Sequence, residues 1–153
     1  MMISRIRKFF ESHLLITGAS SQHDIDEKLK LGCAFLMYEM VHVDGESHEN
    51  ETQKIRSLLQ QQFNISKQET EGLLEIAHEE KHSATDYYRF TSLINEHYSQ
   101  EQKINLIKQL WQIAYADNTL DKFEEHLVRK LADLLHVPHR HFIQTRHQVE
   151  NQN

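Results

Sequence analysis

Between Ile25 and Val43, apolar side chains recur at steps of three or four, at Ile25, Leu29, Cys33, Leu36, Met40 and Val43. Leu31, Phe35 and Tyr38 fill an adjoining face. A stripe of this period is an amphipathic helix, and one this wide has to be covered on more than one side. The segment is therefore expected to be a central helix, opened by Asp24 as its cap and stopped at Asp44-Gly45. A second segment of the same kind carries Ile104, Ile107, Leu110, Trp111, Ile113 and Ala114 and stops at Asp117-Asn118. Two such helices need others packed around them, so the fold class is expected to be all-α, a compact bundle of roughly seven or eight helices.

The rest of the chain supplies the covering elements. One helix presents Ile55, Leu58, Leu59 and Phe63 inward. Another is capped by Ser66, with Lys67 and Glu71 on its outer side. A further helix spans about 84–98, and Ser99 caps the one that follows, with Glu101 and Gln102 in its first turn. Phe123, Leu127, Leu131, Leu134 and Leu135 mark a helix core face, and Pro138 sits where a last helix should open. The tail after Val149 is expected to fray. With one Pro and four Gly in 153 residues, long helices are favoured over a turn-rich β fold.

Met2 to Ile16 reads as a basic amphipathic helix, with Ile3, Ile6 and Phe10 on one face and Arg5 and Lys8 off it. The expected division is 1–23 for this helix and a polar linker, then 24–150 for the bundle. Docking on the bundle is the expectation, with peripheral contact of residues 1–16 with an anionic membrane as the alternative. No run reaches the roughly 20 apolar residues of a membrane span, and Glu11, Ser12 and His13 cut short any signal-peptide core. A single cysteine suits a reducing compartment, so a cytoplasmic location is expected. Cys33 is expected to be a small core residue. The net charge of −6 argues against a nucleic-acid partner.

The two wide-faced segments are related by a constant shift. Asp44 and Asp117 are 73 residues apart, as are Glu51 and Glu124. In the same register Cys33 meets Leu106, Met37 meets Leu110, Tyr38 meets Trp111, Ile55 meets Val128 and Leu58 meets Leu131. Apolar coincidences at helical spacing are common, but here both the breaker and the acidic positions coincide too. The expected architecture is a pseudo-twofold repeat of helix-turn-helix units.

Each unit carries an acidic turn, Asp44-Gly-Glu-Ser-His48-Glu-Asn-Glu51 and Asp117-Asn-Thr-Leu-Asp121-Lys-Phe-Glu124. Two physical accounts fit. Asp121 and Glu124 have capping-box spacing, and acidic residues at a helix start suit its dipole. Alternatively, Asp44, Glu51, Asp117, Asp121 and Glu124 supply oxygen ligands to a hard divalent cation such as calcium, magnesium or manganese. The spacing is not that of an EF-hand.

The phrase Ala114-Tyr-Ala-Asp117-Asn-x-Leu-Asp121-x-x-Glu124, followed by Val128, Leu131, Ala132 and Leu135, resembles the signature of TerB-like domains, and Val41-His-Val-Asp44-Gly-x-x-His48-x-x-Glu51 resembles it again. The resemblance covers about 25–145. It implies an all-α fold, a link to tellurite resistance and wider stress responses, and acidic residues that bind metal or protein partners. It implies no enzymatic activity. The implicated positions are Asp44, Glu51, Asp117 and Glu124. The chain departs from the pattern at His48, which suits a hard cation poorly, and at Asn118, which replaces the turn glycine.

One competing signal points to an enzyme. His78-Glu79-Glu80-Lys81-His82 matches the His-Glu-x-x-His pattern of zinc peptidases, in which two His one turn apart hold the ion and the Glu is the base. Thr85 and Tyr88 occupy the positions where the extended motif has Gly and a third His, leaving Glu96 as the candidate third ligand. A zinc-dependent hydrolase is therefore the alternative, with a purely structural helical adaptor as a third reading. His136, His139 and His141 have the residue type for a transition metal but are expected to be surface residues.

Overall fold

The computed structural model describes residues 21–42, 49–79, 84–118 and 120–152. Among these residues there are seven helices and no strand: α1 (Gln22–His42), α2 (Glu49–Phe63), α3 (Lys67–Glu79), α4 (Ala84–His97), α5 (Gln100–Ala114), α6 (Lys122–Leu134) and α7 (His139–Gln152). The expected helix over Met2–Ile16 lies outside the described residues.

Local chemistry fixes the starts. Ser99 accepts from the Gln102 amide while the Gln102 side chain accepts from the Ser99 amide, a complete capping box. Ser66 Oγ accepts from the Glu69 amide at 3.0 Å, and Asp121 Oδ1 from the Phe123 amide at 2.6 Å. At α1 the cap is Ser21, whose Oγ accepts from the Asp24 amide at 3.1 Å. Asp24 is thus inside the helix, and Gln22 and His23 are helical, not linker.

The ends are equally local. After α6, the Val137 amide donates to the Ala132 carbonyl and the His136 amide to the Asp133 carbonyl, with His136 at φ 57°. This is a Schellman ending, closed by the burial of Val137. Asn64 (φ 51°) and Asn118 (φ 64°) take the same left-handed conformation after α2 and α5, which a short polar side chain tolerates. α7 begins just past Pro138, whose carbonyl accepts from the His141 and Phe142 amides, and continues through Gln152 where fraying was expected.

α1 and α5 are the two central helices. α1 packs on α2, α3, α4 and α5, and α5 packs on α2, α6 and α7 as well. Their apolar faces form the core with Ile55, Leu59, Ile76, Ile94, Val128 and Leu131, all buried. α4 crosses α1 closely at Gly32, where an added Cβ would stand 3.4 Å from the Phe90 ring. Phe90 in turn lies 4.4 Å, centroid to centroid, from Phe35. Trp111 is fully buried and donates from Nε1 to the Phe142 carbonyl at 3.2 Å, joining α5 to α7.

One expectation about faces fails. Phe123, read as a core residue, is 58% exposed at the second position of α6. Glu71 is exposed on the outer side of α3, as expected, and pairs there with Arg56 of α2 at 2.5 Å.

Candidate functional site

The acidic turns stand where each outer helix leaves a central one. α2 starts at Glu49 and α6 at Lys122, and the 73-residue shift relates these starts as well. Glu51 and Glu124 are therefore both third residues of their helices. Both are buried, at 1% and 3% exposure, although each is an ionisable side chain near a surface turn. A carboxylate in the first helical turn sits in the positive end of the backbone dipole, which offsets part of the cost of taking it out of water. Positions paired by the shift are buried alike at Cys33 and Leu106, Met37 and Leu110, Met40 and Ile113, Ile55 and Val128, and Leu58 and Leu131. Tyr38 and Trp111 differ, since Tyr38 is half-buried and Trp111 is not exposed at all.

Asp117 is partly buried just past α5, followed by the left-handed Asn118. Asp121 spends one oxygen on the Phe123 amide as the cap of α6, so the capping account holds for that residue. Asp44 and His48 lie outside the described residues. Among the described residues, no group of three or more His, Cys, Asp or Glu side chains is gathered as a metal ion would need. Glu51 and Glu124 are each a buried acid at the third position of a helix.

The other sequence candidates are dispersed. His78 and Glu79 close α3, both exposed, while Glu80, Lys81 and His82 are outside the described residues. His78 Nδ1 is 2.8 Å from the Tyr38 hydroxyl, with the rings edge to face. Glu96 is exposed on α4. His136 makes the Schellman turn, His139 stacks on Phe142 at 5.4 Å, and Nε2 of His141 accepts from Arg140 at 3.3 Å. Cys33 is fully buried, its Sγ 3.4 Å from the Tyr98 hydroxyl. Burial pushes its thiol up to about 11, away from the thiolate that reactivity requires.

Two features have no signal in the linear sequence. One is a polar cluster joining α5, α6 and α7. Arg146 donates to Glu125 (3.2 Å), Glu150 (2.9 Å) and the Tyr115 hydroxyl (3.1 Å), and its guanidinium lies 5.4 Å from the Trp111 ring centre. The Tyr115 hydroxyl donates in turn to Glu150. Hydrogen bonds from Tyr115 and Arg146 hold the Glu150 carboxyl below its ordinary range. The other is a cleft of about 440 Å³ that α2, α5 and α7 enclose beside the second acidic turn. Both depend on residues far apart in the chain.

No helix among the described residues is long and apolar enough to cross a membrane. Comparison with curated proteins and with solved structures finds no match. The family model described as tellurite resistance protein TerB matches residues 30–147, which take in most of α1, all of α5 and both acidic turns. The chain belongs to the TerB family.

Proposed function

We propose that this chain is a non-enzymatic TerB module of the cytoplasm that binds a divalent cation through its acidic turns and passes that state to a protein partner in a stress or tellurite-resistance response. The observation that carries the reading is the equivalent burial of Glu51 and Glu124 at the third position of helices that begin 73 residues apart. Buried acids at matching places in two turns, each with an Asp seven residues before the Glu, supply the oxygen donors that calcium, magnesium or manganese prefer. Asp44, Asp117 and Asp121 complete the donor set, with Asp121 contributing least because its side chain already caps α6.

A purely capping role is the second reading, and the Asp121–Phe123 bond favours it. Calcium titration of the ¹⁵N-labelled protein separates the two. Cation binding predicts saturable shifts of the amides of 44–51 and 117–124, stronger in the second turn, where Asp121 stands in place of His48. Capping alone predicts no saturable change in either turn.

A further inference from the structure

The cleft beside the second acidic turn is built from residues of α2, α5, α7 and the turn itself, and six of its polar side chains have no partner among the described residues. Asn50, Lys54 and Ser57 enter from α2, Gln112 from α5, Asn118 from the turn and Gln152 from α7. None of these six side chains makes a hydrogen bond or ion pair with another described residue. The charged groups nearby are satisfied: Arg56 with Glu49 and Glu71, Arg146 with Glu125 and Glu150. Among the described residues, no Asp or Glu lines the cleft, in a chain with 23 acidic and 17 basic residues. Among its described lining residues, then, the cleft offers an anion one cation and no carboxylate.

We propose that this cleft binds a carboxylate-bearing segment of a partner polypeptide, with the carboxylate at Lys54 and the adjoining peptide groups on the carboxamides. An ammonium offers three donors and no acceptor, which selects an anion. Asn50, Gln112, Asn118 and Gln152 each offer donors and an acceptor together, the same pairing that a peptide group presents in reverse. A single lysine balances one negative charge. Nucleic acid recognition draws on many cations, and Lys54 is the one cationic side chain among the described lining residues. Asn50, Ser57, Asn118 and Gln152 are exposed, so the cleft opens to solvent along its length and an extended chain can enter it. The inference needs no cation and stands apart from the reading of the acidic turns.

The test is a titration of the full ¹⁵N-labelled chain in resin-treated, metal-free buffer with three N-acetylated Gly-Ser tetrapeptides. One has a free C-terminal carboxylate, one is amidated and carries an internal Glu, and one is amidated and neutral. Sodium acetate is the fourth arm. The expected result is saturable movement of the Asn50, Gln112, Asn118 and Gln152 side-chain amides with a carboxylate peptide. Lys54→Gln and the neutral peptide should each weaken binding roughly tenfold, about 1.4 kcal/mol. Which carboxylate peptide binds tells a chain terminus from an acidic side chain. The proposal is overturned if no peptide saturates those signals, if the neutral peptide binds equally well, or if Lys54→Gln changes nothing. It is overturned too if acetate matches the peptides, since the cleft would then hold an isolated anion. Gln112→Ala, with Lys54 intact, should also weaken binding, and both variants should keep the parent spectrum elsewhere.

Discussion

Asp121 and Asp117 lie four residues apart in one turn, and Asp121 is the one that caps α6. Asp121 is committed to the Phe123 amide, so Asp121→Ala should cost about 1 kcal/mol of stability, the usual value of a cap. Urea unfolding should give the same loss with calcium and with chelator; a loss found only with calcium would make Asp121 a primary ligand. Cys33 is a second single-residue case. It is fully buried, with a thiol pushed up to about 11, so a thiol reagent should label it far more slowly in the native protein than in urea. Equal rates would mean that α1 opens readily. The caps at Ser66, Ser99 and Asp121 were legible in the sequence because a cap and its amide are two or three residues apart. Phe123 was misread for the complementary reason: its apolar character says nothing about where the helix first meets its neighbour.

Among the elements, α7 shows how a helix with few apolar residues is held. Its contacts are Phe142, Thr145 and Val149, all buried, the Trp111–Phe142 hydrogen bond and the Arg146 cluster. Trp111→Ala should cost about 3–5 kcal/mol, since it opens a cavity against Phe142. Trp111→Phe should cost about 1–3 kcal/mol for the lost donor; a Trp111→Phe protein as stable as the parent in thermal or urea melts would show that the hydrogen bond adds nothing. Glu150 gives the cluster a pH signature. Its folded pKa is lowered from 4.5, so its contribution is fully present above that value and is lost as pH falls through the folded pKa. The stability gap between the parent and Glu150→Gln should therefore close on acidification below 4.5; a gap independent of pH would contradict this role. None of it was readable from α7 alone, because Tyr115, Glu125 and Arg146 meet only when three helices are assembled.

For the whole molecule, the two wide apolar faces sufficed to place α1 and α5 at the centre, since no smaller number of neighbours would cover them. Amide hydrogen exchange should accordingly be slowest in the middle of α1 and α5 and faster in α3 and α7, which pack on fewer elements. Slowest exchange in α3 or α7 would contradict that hierarchy. The acidic turns were legible as a pair from their shared spacing. The burial of Glu51 and Glu124 was not, because a linear pattern does not distinguish an acid that caps from one that turns inward. The cleft was less legible still, as its residues lie on α2, α5 and α7. The proposed binding of a divalent cation by the acidic turns is decided by melting temperature. The parent protein should melt higher in millimolar calcium than in chelator, with stabilisation approaching roughly 2.7 kcal/mol at a hundred times the dissociation constant. Asp117→Ala should remove most of that rise and Asp44→Ala less of it. Equal destabilisation by both substitutions, unchanged by calcium, would contradict the claim and leave the turns as helix caps.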